Sequence, residues 1–177
     1  MNDENLNHEP LLIVVSSPSG AGKTSVCRKL LENNDNIQIS ISATTRKPRK
    51  NEVDGIDYNF ISRDDFQNKV KNNEFLEYAE VFDNFYGSLS KDVEKITKSK
   101  KDVLFDIDWQ GTQQLYQSKP INLVSIFILP PSRDEIENRL RQRKVDSGDD
   151  DSIIKNRMIY MSFILEFYVI IRKGNVL

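Results

Sequence analysis

Ser16-Ser17-Pro18-Ser19-Gly20-Ala21-Gly22-Lys23-Thr24-Ser25 stands between an apolar run, Leu11 to Val15, and a helical pattern from Val26 to Leu31. A strand, a Gly-rich turn and a helix start, in that order, are the setting of a phosphate-binding P-loop. The glycines let successive backbone N–H groups point inward with no Cβ in the way. The helix N-terminus adds partial positive charge at the same spot. Lys23 reaches the β- and γ-phosphates of a bound nucleotide, and the Thr24 hydroxyl suits Mg²⁺. The pattern G-x-x-x-x-G-K-[ST] departs at one place, where Ser17 replaces the first Gly. That limits backbone freedom at the loop entry but removes no phosphate ligand. A Gly/Ser turn with a solvated lysine is the alternative, and the strand and helix on either side weigh against it.

Around this loop the chain has 177 residues, 38% hydrophobic and 29% charged, enough for one ordinary globular domain. A net charge of −2 suggests no nucleic-acid partner. The single cysteine, Cys27, excludes an internal disulfide and reads as a packing residue in the helix after the loop. The single histidine, His8, lies in a polar N-terminal stretch, residues 1–10, read as a disordered tail. Histidine-dependent catalysis and a histidine-rich metal site are therefore not expected. That stretch is not a secretory signal, and no apolar run reaches the roughly 18 residues of a membrane span. Cytoplasm is the expected location, with no membrane partner.

In chain order, residues 11–16 read as a buried strand and 23–32 as a helix. Ile37, Ile39 and Ile41 alternate with polar residues, as in a short strand. Ser42 to Lys50 is polar, basic and broken by Pro48. Glu52 to Tyr58 reads as a turn leading into Tyr58 to Ile61. Ser62 and Asp65 resemble a capping box opening a helix over 63–72. Phe75 to Phe82 reads as a strand, Asp83 to Ser88 as a turn, and 90–99 as a polar helix. Val103 to Asp108 and Asn122 to Leu129 are two more buried-strand patterns, the second closed by Pro130-Pro131. Ser132 and Glu135 suggest a cap for a helix to about Arg143. Lys144 to Asp150 reads as a loop, with a helix from about Asp151. Strands alternating with helices imply an α/β fold with a parallel sheet covered on both faces. The differently patterned residues between 38 and 88 imply a smaller inserted lobe.

Ligands of open parallel sheets bind beyond the carboxyl ends of the strands. Asp106 and Asp108 stand at such an end, and one of them can support the Mg²⁺ water shell beside Thr24. Arg46 and Arg49 flank Pro48. Held close they repel unless an anion lies between them, and phosphate fits the guanidinium fork; a solvated basic loop is the equal alternative. Arg139, Arg141 and Arg143 follow the third buried-strand pattern, Asn122 to Leu129, and Arg157 lies beyond the loop. They suit either an arginine-bearing flap over a migrating phosphoryl group or a polar helix face paired with Glu135, Glu137 and the acids at 149–151.

Taken together, Ser17–Thr24, Ser42-Ala43-Thr44-Thr45-Arg46-Lys47-Pro48-Arg49, Asp57-Tyr58-Asn59-Phe60, Asn73 to Glu77, Tyr86-Gly87-Ser88, Asp106 to Gly111 and Pro130-Pro131-Ser132 resemble the guanylate kinase family of P-loop nucleoside monophosphate kinases. The stretches run in the family's order over roughly residues 11–158. The resemblance implies a P-loop NTPase-type parallel-sheet core (11–41 and 89–134), a small mixed α/β GMP-binding lobe (42–88) and a helical lid (about 135–157). It implies transfer of the γ-phosphate of ATP to GMP in purine nucleotide metabolism, with Mg²⁺ as cofactor. ATP would be held by Ser17, Pro18, Ser19, Gly20, Ala21, Gly22, Lys23 and Thr24. GMP would be held by Arg46, Arg49, Tyr58 and Tyr86 at its phosphate, with Ser42, Glu77, Ser88 and Asp108 around guanine. Lys23, Arg46, Asp106, Arg139, Arg143 and Arg157 would carry the transfer, and Thr24 and Asp106 the metal.

Guanine chemistry agrees with those residue types. A carboxylate such as Glu77 accepts from N1–H and N2–H₂, and a hydroxyl such as Ser42 donates to O6. Two departures from the family stand out. The segment between Arg143 and Arg157 is about three residues longer. After Met158 the chain diverges, and 159–177 is expected to complete the core only in part, with Tyr168 to Ile171 as its last strand and no closing helix. This keeps a second expectation in view: a catalytically impaired, or non-catalytic, guanylate-kinase-like binding module.

Overall fold

The computed structural model describes residues 8–118, 122–130, 132–147 and 150–174. The chain forms two compact units, Met1–Ser16 with Thr24–Phe127, and Ser17–Lys23 with Ile128–Leu177.

The first unit is built on a four-stranded sheet of β1 (Leu12–Ser16), β2 (Ile37–Ile39), β7 (Asp102–Asp106) and β8 (Leu123–Phe127), in the order β2-β7-β1-β8. All three pairings are parallel. The two central strands, β1 and β7, are apolar runs buried along nearly their whole length, whereas β8, expected as a buried strand, lies at the sheet edge and leaves Val124 and Ile126 exposed at 44% and 45%. Val14, Val103 and Phe105 are sealed from solvent with Leu115, Val93, Ile96 and Ile107. Val93 and Ile96 come from α3 (Ser90–Lys98), and Leu115 from α4 (Trp109–Gln117). Register sets Asp106 opposite Val15, at the carboxyl end of the strand that leads into the Gly-rich loop. α1 (Lys23–Glu32) follows that loop and buries Cys27, only 1% exposed, as its packing residue. His8 Nε2 hydrogen-bonds Asp102 Oδ1 at 2.8 Å, the same oxygen that accepts from the Leu11 amide.

A second sheet in this unit joins β3 (Ala43–Thr44), β4 (Asn59–Phe60), β5 (Phe75–Val81) and β6 (Asn84–Leu89), in the order β4-β3-β6-β5. α2 (Arg63–Lys71) covers it. The expected cap is present: Ser62 Oγ accepts from the Asp65 amide at 3.0 Å. Phe66 of α2 is fully buried, stacked on Phe75 at 4.4 Å and on Phe85 at 5.3 Å.

In the second unit α5 (Arg133–Ser147) packs on α6 (Asp151–Gly174) through Ile136, Leu140, Ile154, Met158 and Met161. The Ser132 hydroxyl accepts from the Glu135 amide at 3.1 Å, as its spacing suggests.

Several sequence expectations give way. Asp83 to Ser88 is not a turn. The reversal is made by Phe82 and Asp83 alone, at φ 49° and 60°, and Asn84–Leu89 is strand. Gly87 signals tight packing instead: a Cβ there would meet Phe75 Cδ1 at 2.8 Å, Glu77 O at 2.9 Å and Tyr78 Cβ at 2.9 Å. β7 ends at Asp106, and Asp108 caps a helix, α4, which the sequence reading leaves out. Residues 144–147, read as loop, extend α5. Pro131, Gly148 and Asp149 lie outside the described residues. Tyr168 to Ile171 is not a strand but part of the 24-residue α6. No Pro or Gly interrupts 151–173, and a short apolar run does not by itself separate strand from buried helix.

Gly87→Ala is expected to cost about 1–3 kcal/mol by overpacking β6 against β5, read from the denaturant midpoint. A midpoint unchanged from wild type would contradict the tight β5–β6 contact.

Candidate functional site

The Gly-rich loop turns at Gly20 and Gly22, which stand at φ 88° and 96° where a Cβ is disfavoured. Ser17 is not among the left-handed residues, so the pattern's missing first Gly demands no strained backbone. Its hydroxyl donates to Pro18 O at 3.0 Å, and Ala21 N donates to the same carbonyl at 3.2 Å. Within the second unit two arginines come to this loop. Arg139 Nη1 donates to Gly20 O at 3.5 Å while its Nε donates to Glu135 at 2.7 Å. Arg157 Nη1 donates to Ser19 Oγ at 3.1 Å. Arg141 turns instead to Glu137 and Asp151, a solvated helix face. The Arg143 side chain lies outside the described residues.

Lys23 and Thr24 are the first two residues of α1. In the first unit Thr24 Oγ1 donates to Asp106 Oδ2 at 3.4 Å. A hydroxyl and a carboxylate oxygen side by side match the all-oxygen chemistry of Mg²⁺, which takes one or two protein ligands and completes its shell with water and phosphate. The residues present therefore fit this ion.

The second sheet gathers the basic and phenolic residues. Arg46 sends two parallel hydrogen bonds to Glu52, Nη1 to Oε2 at 2.8 Å and Nη2 to Oε1 at 2.9 Å. Arg49 donates to the same carboxylate from its amide at 2.8 Å and from Nη1 at 3.3 Å. The Arg46 guanidinium lies 5.2 Å from the Tyr58 ring centroid and 5.7 Å from that of Phe60. Tyr58 and Tyr86 meet edge to face at 6.1 Å. Burial pushes the Tyr58 phenol up to about 12, and the Asp106 carboxylate adds to the rise. The phenol thus stays a hydrogen-bond donor at neutral pH. Burial pulls the Glu52 carboxyl upward, but the Arg46 hydrogen bonds and the Arg49 amide outweigh it and leave Glu52 below its ordinary range. Arg46 is raised in turn: burial opposes its charge, and Glu52 more than compensates.

Glu77, on β5, is 3% exposed; its Oε1 accepts from Ser88 Oγ at 2.7 Å. Ser88 and Tyr86 are two apart on β6 and so share one face of the sheet. Ser42 is 7% exposed, just before β3. Asp108 accepts at Oδ1 from the amides of Gln110 and Gly111, at 3.0 and 3.1 Å. Its carboxylate therefore holds the start of α4. Glu52 was missed by the sequence reading; its position three residues after Arg49 was the available signal.

The parallel sheet, the loop after its first strand and the paired Thr24 and Asp106 define a P-loop nucleotide-binding protein. A family profile described as guanylate kinase matches residues 9–175. The chain is 55% identical over 148 residues to the guanylate kinase of Paramagnetospirillum magneticum, covering 84% of this chain and 68% of that protein. It is 51% identical to that of Rickettsia bellii, covering 84% and 75%. The crystal structure of guanylate kinase from Anaplasma phagocytophilum superposes with a TM-score of 0.67 at 35% identity, over 93% of this chain and 88% of that one. The chain belongs to the guanylate kinase family and is an enzyme of that class. Among the described residues no helix is long and apolar enough to cross a membrane.

Glu52→Gln is expected to cost about 1–3 kcal/mol at neutral pH. A carboxyl lowered in the folded state stabilises fully above its ordinary value of 4.5 and loses that contribution as pH falls through its folded value. Urea midpoints of the two proteins should therefore converge on acidification from pH 6. A gap that stays constant to pH 3 would show that Glu52 is not the titrating group.

Proposed function

We propose that the protein transfers the γ-phosphate of ATP to GMP, giving ADP and GDP, in purine nucleotide metabolism in the cytoplasm. Residues 42–88 serve as the GMP-binding lobe and about 135–157 as the lid. The observation that carries this reading is the buried Glu77 carboxylate, held by Ser88 on the sheet face that also bears Tyr86. It offers acceptors to a base, while Arg46, Arg49, Tyr58 and Tyr86 offer donors to a phosphate.

In this reading Glu77 accepts from guanine N1–H and N2–H₂, and Ser42 donates to O6. Asp108 supports them by fixing the start of α4. Adenine presents a bare N1 acceptor to the same carboxylate and leaves it unpaired. Sites built on such hydrogen bonds reject the wrong base by as much as ~10⁴-fold. Arg46 and Arg49, whose guanidiniums Glu52 orients, take the acceptor phosphate through their further N–H groups. Ser17 to Thr24 and Lys23 hold the phosphates of ATP. Thr24 and Asp106 hold Mg²⁺, whose charge, when bound, offsets that of the donor phosphates. An oxygen of the GMP phosphate attacks the γ-phosphorus in line as the bond to the β-phosphate oxygen breaks. Lys23, Arg139, Arg143 and Arg157 offset the charge on the migrating group. No covalent intermediate on the protein is needed, because positioning and neutralisation suffice.

A coupled assay for ADP with GMP, AMP, CMP and UMP as acceptors tests the assignment. GMP should lead by several orders of magnitude, and equal activity with AMP would contradict it. Lys23→Met should lower kcat at least about 10²-fold with GMP binding largely intact. Loss of GMP binding as well would point to misfolding. Chelation of divalent ions should abolish turnover, restored by added Mg²⁺.

A further inference from the structure

α4 carries a glycine in its first turn, Gly111, although glycine is the least favourable helix residue after proline. Its backbone is not left-handed, so no dihedral requirement selects it. The space does. A Cβ at 111 would collide with Glu77 Oε2, and would stand 2.9 Å from Glu77 Cδ and 3.3 Å from Ile107 Cδ1. The missing side chain is the slot that the Glu77 carboxylate fills.

α4 is also pinned on both sides of this slot. Before it, Asp108 Oδ1 accepts from the Gly111 amide at 3.1 Å. After it, the Gln114 carboxamide clamps the residue next to Glu77: Nε2 donates to Tyr78 O at 2.6 Å, and Oε1 accepts from Tyr78 N at 3.1 Å. β5 lies at the edge of its sheet, and Gln114 acts there as a short substitute strand. With helix and strand both tied, an added methyl group displaces first the flexible group it overlaps most, the end of the Glu77 side chain, and only slightly Ile107 Cδ1.

We propose that Gly111 is a specificity-determining position. Its lack of a side chain fixes where the Glu77 carboxylate stands, and through it the preference for a guanine over an adenine monophosphate. This rests on the reading of Glu77 as the base-recognising group. Gly111 touches no substrate in this account; it is a positioning residue that acts through Glu77.

The test measures kcat and KM with GMP and with AMP, and the melting temperature, for Glu77→Gln, Gly111→Ala and the double variant Glu77→Asp/Gly111→Ala. Gly111→Ala should raise the KM for GMP and lower the GMP:AMP ratio of kcat/KM, each by about tenfold or more. Its kcat at saturating GMP should change less than its KM, and its melting temperature should stay near that of wild type. The shorter aspartate leaves room for the new methyl group, so the double variant should recover part of the lost ratio. A ratio within about twofold of wild type in Gly111→Ala, with the ratio lost in Glu77→Gln, would overturn the inference and leave the function standing. An unchanged ratio in Glu77→Gln would remove the reading of Glu77, and the inference with it. If Gly111→Ala fails to fold, a folded and selective double variant supports the slot. Failure of both to fold overturns it.

Discussion

Two guanidiniums stand close together in the first unit because one carboxylate stands between them. Without Glu52, Arg46 and Arg49 would repel each other across a short, half-buried segment. With it, Nη1 and Nη2 of Arg46 and the amide and Nη1 of Arg49 converge on two oxygens. The arrangement keeps a positive cluster in place in the irregular segment that follows the two-residue strand β3. Tyr58 and Phe60 give the Arg46 guanidinium aromatic faces to lie against, and the two tyrosines pack on each other. A rigid fork costs less ordering when an anion arrives than two free side chains would.

The second recurring device is the absence of a side chain. At Gly20 and Gly22 glycine supplies a left-handed backbone. At Gly87 and Gly111 it supplies room, once for β5 against β6 and once for a carboxylate against a helix. These four glycines are therefore of two kinds, and only the first is a turn signal. The same economy appears at Asp108, where one carboxylate caps α4 and so sets what that helix faces.

Much of this was legible in the sequence. The loop at 16–25, its flanking strand and helix, and the caps at Ser62 and Ser132 follow from local spacing, and the structure has them. What escaped depends on contacts distant in sequence. Tyr86-Gly87-Ser88 looks like a turn until Phe75 and Tyr78 are placed against it. α4 has an N-cap in plain view, but Trp109-Gln110-Gly111-Thr112-Gln113-Gln114 lacks the apolar spacing of an amphipathic helix. Glu52 lies in a stretch read for its turn residues, while its importance comes from the direction of its side chain. The apolar run near the end reads equally as strand or helix, and continuity with the residues before it decides for helix.

In the proposed reaction, recognition of the acceptor comes down to a carboxylate that accepts from a base and an arginine pair that takes a phosphate. Calorimetric titration with GMP, IMP and AMP in the absence of ATP separates those two contributions, since all three share the phosphate. IMP keeps N1–H but lacks the N2 amine, and AMP has neither donor, so affinity should fall stepwise from GMP to IMP to AMP. Equal affinities for GMP and AMP would contradict the account, because the base would then contribute nothing to recognition.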